Sequence, residues 1–123
     1  MKLEVGMYVR FDDGTIVKLI DIKRYKTKDD IYYFDEELDW NEDRSCNDNK
    51  IYEHQFEYLG EIKAGFEPMD VVKVGDYVNG EYVIKIFDDC KMVKTIDYYY
   101  TNDAIRTIVT KEQFESMEYK VGV

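Results

Sequence analysis

The fold is decided by the stretch Val71-Val72-Lys73-Val74-Gly75-Asp76-Tyr77-Val78-Asn79-Gly80-Glu81-Tyr82-Val83-Ile84-Lys85-Ile86. It contains two runs of β-forming residues joined by Asn79-Gly80. An Asn-Gly pair is the strongest short-range signal for a two-residue hairpin, because both central positions of that turn need φ > 0. The stretch therefore predicts a β-hairpin in the second half of the chain.

A similar pattern opens the chain. It consists of Leu3-Glu4-Val5-Gly6-Met7-Tyr8-Val9-Arg10-Phe11, then Asp12-Asp13-Gly14, then Thr15-Ile16-Val17-Lys18-Leu19-Ile20. Residues 3–11 alternate, with the odd-numbered apolar side chains on one face and Arg10 on the other, and Gly14 tolerates left-handed dihedral angles in the turn. We therefore expect a hairpin at the start of each half and two copies of one small β-fold.

The remaining sequence predicts more short strands and no long helix. These strands are expected at 31–34, 56–59, 91–96, 104–109 and 115–121. The spacing in Thr110-Lys111-Glu112-Gln113 is that of a capping box, which predicts one helical turn. The match of Gln55-Phe56-Glu57 to Gln113-Phe114-Glu115 extends the repeat.

Five short strands per copy, with a helical turn before the last strand, are typical of a small SH3-like barrel. The sequence therefore predicts an all-β protein of two tandem SH3-like units packed together. The alternative is a single continuous β-sandwich that uses all the strands. The first unit is expected at 1–65, with an acidic loop at 35–49, and the second at 70–123. Gly65 and the single proline, Pro68, mark the boundary.

The chain is strongly acidic, with a net charge of −10 from 27 acidic and 17 basic side chains. Such a field repels DNA, RNA and anionic lipid at long range, so direct nucleic-acid binding and membrane binding are disfavoured. One interpretation is solubility alone. The other is that the acidic surface meets a basic partner, for instance by occupying a nucleic-acid groove.

The acidity is concentrated in residues 35–49, where seven acids face one arginine, a net charge of 1 − 7 = −6. Leu38 and Trp40 are expected as apolar anchors of this segment. Tyrosine is a good contact residue because it buries a large surface at little cost in rotamer entropy, which favours one residue of Tyr98-Tyr99-Tyr100 as an interface residue. The expected partner-binding residues are Asp35, Glu36, Glu37, Asp39, Trp40, Glu42, Asp43 and Tyr99.

No motif for catalysis stands out. His54 is the single histidine, and neither Ser45 nor Ser116 lies in a recognisable nucleophile turn. The chain has no Gly-rich phosphate loop, HExxH motif or dinucleotide fingerprint. The carboxylates of 35–48 lack the glycine and the spacing of a calcium loop. We therefore expect no enzymatic activity, no metal site and no cofactor.

Cys46 and Cys90 are far apart in the sequence, in neither a CxxC nor a metal-ligand spacing, which suggests a reducing compartment. The opening residues do not have the pattern of a signal peptide, and no apolar run approaches membrane-spanning length. A cytoplasmic location is expected.

The segments Val5–Arg10, Val74–Gly80 and Ile108–Val121 resemble a group of small proteins encoded by phages and prophages of Gram-positive Firmicutes. The resemblance is good over 70–123 and thin between 23 and 65, where the acidic insertion lies. It implies expression in a bacterial host cytoplasm from a mobile element, and it brings no activity or catalytic residue with it.

These observations together predict a non-enzymatic, phage-encoded binding protein. The leading hypothesis is an inhibitor of a host nucleic-acid-handling defence enzyme, of the anti-CRISPR type, that acts through an acidic surface. One alternative is a nucleic-acid-binding accessory protein that uses the basic loop Lys23–Lys28 and its Tyr25. Two others are a small-ligand sponge or sensor with a pocket between the two units and a structural component of the virion.

Overall fold

The structure is a computed structural model that describes residues 2–38 and 49–117, except the side chain of Met117. It is mostly β, with ten short strands in two five-stranded antiparallel sheets. The strands are β1 (Tyr8–Arg10), β2 (Ile16–Lys23), β3 (Ile31–Phe34), β4 (Lys50–Tyr52), β5 (Lys63–Gly65), β6 (Tyr77–Val78), β7 (Glu81–Phe87), β8 (Met92–Thr95), β9 (Tyr99–Thr101) and β10 (Ile108–Val109). In the described ranges the short helices are three 3-10 helices (Glu53–Tyr58, Pro68–Val71 and Asn102–Ala104) and α1 (Lys111–Met117).

The two sheets have the same order of strands. The first sheet is β4-β3-β2-β1-β5, and the second, read from its other edge, is β9-β8-β7-β6-β10. Each sheet buries its own apolar cluster, centred on Val9, Leu19 and Phe34 in the first and on Val78 and Val93 in the second. Within the part of the chain that the structure describes, the edge strands of each sheet are not paired with each other, so hydrogen bonding closes neither sheet into a barrel.

Both predicted hairpins are present. β6 and β7 are joined by Asn79 (φ 52°) and Gly80 (φ 82°), the two left-handed residues that a primed turn requires. The β1–β2 turn contains Gly14 with φ 90°, and the Phe11 N–H donates to the Thr15 carbonyl at 2.9 Å across its base. Local turn chemistry therefore sets the register at the start of each sheet.

The strand predicted at 56–59 is wrong, because these residues lie in and just after the 3-10 helix Glu53–Tyr58. The side chain of Gln55 turns back and accepts a hydrogen bond from the Tyr52 N–H at 2.8 Å, which stabilises a helical turn over a strand. The fifth strand of the first sheet is β5, which pairs with β1.

The capping box at Thr110 is confirmed. The Gln113 N–H donates to Thr110 Oγ1 at 3.2 Å, and the Thr110 N–H donates to the Gln113 side chain at 3.0 Å. The resulting helix α1 runs to Met117, so the strand predicted from 115 is wrong for 115–117, and 118–121 lie outside the described residues. Since α1 follows the last strand of its sheet, whereas Gln55–Glu57 precedes the last strand of the first sheet, the sequence match between these segments joins non-equivalent places.

The segment between the sheets connects the two cores. The 3-10 helix Pro68–Val71 packs against β1 and β5 of the first sheet, while Met69 within it is buried in the core of the second. Phe66, which precedes this helix, is 55% exposed and belongs to neither core. The division into units 1–65 and 70–123 remains a prediction. None of the helices in the described ranges is long and apolar enough to cross a membrane.

Candidate functional site

The acidic segment 35–49 leaves the first sheet through a hydrogen-bonded neck, formed by Lys18, Phe34, Asp35 and Asn49. The Phe34 N–H donates to the Asn49 carbonyl at 2.8 Å, and the Asn49 side-chain amide donates to the Phe34 carbonyl at 2.7 Å. The Asp35 N–H donates to the Lys18 carbonyl at 2.9 Å, and the Lys18 N–H donates to Asp35 Oδ1 at 2.8 Å. The two ends of the segment are thus held side by side on the sheet.

The carboxylate of Asp35 in the neck and the two carboxylates that follow it are on exposed residues. Asp35, Glu36 and Glu37 are exposed, and among residues 2–38 and 49–117 no lysine or arginine forms an ion pair with them. Leu38 is buried in the core of the first sheet, so it anchors the segment to its own sheet and is not available as an apolar contact for a partner. The other expected contact residues of the segment, Asp39, Trp40, Glu42 and Asp43, lie outside the described residues.

Tyr99 lies on β9, at the outer edge of the second sheet, and is 56% exposed. The Lys94 ammonium lies 4.2 Å from the centre of its ring, and the ring of Phe87 lies 6.3 Å away. Tyr99 lies in the second sheet, whereas Asp35–Glu37 follow the end of β3 in the first, so these expected contact residues share no strand pair or loop.

The basic loop Lys23–Lys28 is exposed, but several of its groups are already engaged. Arg24 forms an ion pair with Asp30 at 3.2 Å, and the Tyr25 N–H donates to the same carboxylate at 3.1 Å. The Lys28 ammonium lies 4.2 Å from the centre of the Tyr25 ring. A phosphate or a base would have to displace these contacts, which weakens the loop as a nucleic-acid site.

His54 is exposed and pairs through Nδ1 with the carboxylate of Asp29, and its ring stacks on Tyr52. Cys90 is an exposed free thiol, whereas Cys46 lies outside the described residues. Searching the described ranges, we find no group of three or more His, Cys, Asp or Glu side chains placed to hold a metal ion.

The structure places Arg10 in the interior of the protein, whereas the alternating sequence pattern predicts it on the polar face of its strand. Arg10 is 1% exposed, and its guanidinium forms a bidentate ion pair with Asp76. Asp76 is fully buried and directly precedes β6 of the second sheet. Its Nη2 also contacts Glu112 at 2.8 Å, and its Nη1 donates to the Val71 carbonyl at 3.0 Å. Burial alone would lower the pKa of Arg10, but the hydrogen bond and charge of Asp76, together with Glu112, raise it.

Asp76 also accepts backbone hydrogen bonds from Lys73 at 2.6 Å and from Lys111 at 3.0 Å. We call Arg10, Asp76 and Glu112 the buried ion network. Because it ties β1 to Asp76 and α1 of the second half through buried, hydrogen-bonded charges, we interpret it as a structural joint rather than a reactive site.

Two clefts in the described residues have linings that the sequence does not predict. The Phe56 cleft has a volume of about 330 Å³ and lies in the first sheet, beside the 3-10 helix Glu53–Tyr58. It is lined by Leu3, Tyr32, Glu53, Phe56, Gly60 and Ile62. The junction cleft, of about 270 Å³, includes side chains from both halves of the chain. It is lined by Tyr8, Ile16, Pro68, Ile105, Arg106 and Ile108.

The sequence predicts a pocket between the two units, and the junction cleft is lined by residues of both halves; that it holds a ligand stays a prediction. The Phe56 cleft was missed because Phe56 was assigned to a strand. The available signal was Gln55, whose spacing from Tyr52 fits a side-chain cap on a helical turn.

Comparison of the chain with protein-family models, with curated proteins and with solved structures returns no significant match.

Proposed function

We propose that the protein is a non-enzymatic, phage- or prophage-encoded binding protein that inhibits a host nucleic-acid-handling defence enzyme of the CRISPR effector type in the bacterial cytoplasm. The observation that carries the proposal is the neck. It holds Asp35, Glu36 and Glu37 exposed at the base of a segment with seven acids and one arginine.

The chemistry of the partner follows from charge complementarity. Enzymes that bind nucleic acids present lysine- and arginine-lined channels to phosphates, and clustered carboxylates can occupy such a channel in place of the phosphates. Opposed potentials increase the association rate and fix the orientation more than they increase affinity. A segment whose ends are already fixed loses less conformational freedom on binding than a free chain does.

We also propose that the two sheets are copies of one SH3-like unit. Three observations support this: the shared strand order, a 3-10 helix between the fourth and fifth strands of each sheet, and a shift of register at one place in the second strand. The shift falls between Leu19 and Asp21 in the first sheet and between Val83 and Lys85 in the second. Such an irregularity bends a strand, so that one strand can serve two ladders.

The test is displacement of target DNA from guide-RNA-loaded CRISPR effector nucleases of a Gram-positive host, measured by gel shift. We expect the native protein to release the DNA at near-stoichiometric ratios. We expect the triple variant Asp35→Asn, Glu36→Gln, Glu37→Gln to be at least about tenfold weaker, because it removes three charges from the contact.

The matched control neutralises three exposed acids of the second half, with Asp88→Asn, Asp89→Asn and Asp97→Asn. It changes the net charge by the same amount, and we expect full displacement activity. Equal weakening by both triple variants would show a general charge effect, and a native protein that displaces DNA from none of the effectors contradicts the proposal.

Two other candidates each have one supporting observation. The exposed loop Lys23–Lys28 supports nucleic-acid binding, which predicts a salt-sensitive gel shift of free single-stranded DNA or RNA. The junction cleft, with Arg106 in its wall, supports a small anionic ligand. That alternative predicts a rise in melting temperature with cyclic nucleotides, since a ligand that binds only the folded state stabilises it.

A further inference from the structure

The Phe56 cleft combines apolar walls with a carboxylate. Leu3 is buried, and Phe56 and Ile62 are half-buried, so three apolar side chains form much of its lining. Ligand sites for small molecules commonly occupy roughly 300–1,000 Å³. At about 330 Å³, the cleft is of a size for one side chain or one small molecule rather than for a large ligand.

The aromatic part of the lining is a corner made by two rings. The centres of the Tyr32 and Phe56 rings lie 5.0 Å apart, and their planes are nearly perpendicular, at 89°. The face of an aromatic ring carries partial negative charge and attracts a cation within ~6 Å of the ring centre. Both rings line the cleft, so a cation bound there within this distance of a ring centre would be attracted by the ring as well as by a carboxylate.

The carboxylate is that of Glu53. It accepts a hydrogen bond from the Asp30 backbone N–H at 3.4 Å, and no lysine or arginine in the described ranges forms an ion pair with it. Asp30 adds a second negative charge near Tyr32, and this charge is partly offset by its ion pair with Arg24 at 3.2 Å. The pKa of Tyr32 is raised, first by burial and then by the charges of Glu53 and Asp30, which is consistent with a negative potential in the cleft.

We propose that the Phe56 cleft binds a cation carried on an alkyl chain, with the methylene groups against Leu3, Phe56 and Ile62 and the charge beside Glu53. The chemistry fits a lysine side chain of a protein and equally a free alkylammonium such as a diamine. We favour the lysine side chain, and in that respect the inference rests on the proposed function, since a basic partner presents lysines.

The experiment is a titration of the ¹⁵N-labelled protein, followed by amide chemical shifts. The probe is N-acetyl-lysine methylamide, and the matched ligand control is N-acetyl-norleucine methylamide, which has the same alkyl chain without the charge. We expect saturable shifts at Tyr32, Glu53, Phe56 and Gly60 with the lysine probe and much weaker binding of the norleucine control.

Two variants test the role of the carboxylate. Glu53→Gln should weaken binding of the lysine probe roughly threefold to fivefold, as expected for the loss of an exposed ion pair. Glu57→Gln neutralises another exposed acid of the same 3-10 helix, one that does not line the cleft, and should leave binding unchanged. Phe56→Leu keeps an apolar wall but removes the ring, and should reduce the preference for lysine over norleucine.

Equal binding of the lysine and norleucine probes would overturn the proposal, and so would equal effects of Glu53→Gln and Glu57→Gln. A third probe, 1,5-diaminopentane, separates the two sources. Tighter binding of the lysine amide supports a protein side chain, and tighter binding of the diamine supports the cation site but overturns its assignment to a partner's lysine. Because this titration uses no effector enzyme, its failure and that of the DNA displacement assay are distinguishable.

Discussion

The two sheets begin with the same turn. Gly6 and Gly75 have nearly the same dihedral angle, φ 98° and 99°, and each precedes the first strand of its sheet. The Gly6 N–H donates to the Leu19 carbonyl at 2.8 Å, and the Gly75 N–H donates to the Val83 carbonyl at 3.0 Å. The backbone of the turn is therefore equivalent in the two halves of the chain.

The two turns differ in the side chain of the residue that follows the glycine. In the first sheet it is Met7, whose sulfur accepts a hydrogen bond from the Glu4 N–H at 3.4 Å and which packs against its own core. In the second sheet it is Asp76, whose carboxylate accepts from the Lys73 N–H and reaches Arg10 in the other sheet. One residue thus decides whether the turn serves its own sheet or joins the two.

The largest effect is expected from Asp76→Met, which gives the second turn the residue of the first. Removing one partner of a buried ion pair costs about 3–5 kcal/mol, because the other charge stays buried. We expect urea unfolding at neutral pH to show a loss of this size, which is a large part of the stability of an ordinary domain. Met7→Leu, a change at the matched position, should cost less than about 1.5 kcal/mol.

The double variant Arg10→Met, Asp76→Met sharpens this comparison. It removes both buried charges, so it should lose less stability than the sum of the two single variants. Additive losses would show that Arg10 and Asp76 do not act as a pair. A loss from Asp76→Met as small as that from Met7→Leu would show that the buried ion network contributes little to the free energy of unfolding.

A smaller difference is expected between two turn glycines. Gly14 and Gly80 have similar positive φ angles, 90° and 82°, so replacing either by alanine should cost ~1–2 kcal/mol from the backbone alone. A Cβ on Gly80 would meet nothing within 4 Å, whereas one on Gly14 would lie 2.4 Å from Thr110 Oγ1 and 2.7 Å from the Cβ of Glu112.

Gly14→Ala should therefore be less stable than Gly80→Ala by a further ~1–3 kcal/mol, the usual cost of overpacking. Denaturant unfolding of both variants measures the difference. Equal losses would mean that the β1–β2 turn can move away from Thr110, and thus that the contact between the halves is looser than the structure describes.

The smallest expected effect is on the pKa values of two tyrosines that lie on opposite strands of corresponding ladders. In the β3–β4 ladder Tyr32 lies opposite Ile51, and in the corresponding β8–β9 ladder Val93 lies opposite Tyr100. The pKa of Tyr32 is raised mainly by burial, and that of Tyr100 mainly by its hydrogen bond to Glu81.

A raised pKa in the folded state means that the folded protein keeps a proton that the unfolded chain loses. This stability is fully present below the ordinary tyrosine pKa of 10.0 and is lost as the pH rises through the folded-state values. We expect Glu81→Gln to lower the pKa of Tyr100 and leave that of Tyr32 unchanged, as measured by phenolate absorbance with Tyr→Phe variants for assignment. A parallel shift of both tyrosines would contradict these separate causes.

The sequence is a good guide where a feature depends on neighbouring residues. Asn79-Gly80 and the Thr110 capping box act over two to four positions, and both predictions are confirmed. It is a poor guide where a partner is distant. The side chain of Arg10 alternates to the polar face in the sequence pattern, yet it is buried because Asp76, 66 residues further along the chain, supplies its counter-charge.

The candidate sites also differ in whether the sequence alone could predict them. The exposure of Asp35–Glu37 follows from local charge density, and the structure agrees with it. The Phe56 cleft needs Leu3, Tyr32 and Ile62 to come together from distant parts of the chain. The spacing of Gln55 from Tyr52 indicates the helical turn that carries Phe56, but not these distant contacts.

The neck has a consequence for protein engineering. Its hydrogen bonds are made by Lys18, Phe34, Asp35 and Asn49, so none of them depends on the identity of residues 39–48. The free energy of closing a loop changes slowly with its length. A foreign peptide grafted in place of residues 39–48 would therefore keep the hydrogen bonds of the neck, and the first sheet would serve as a display scaffold.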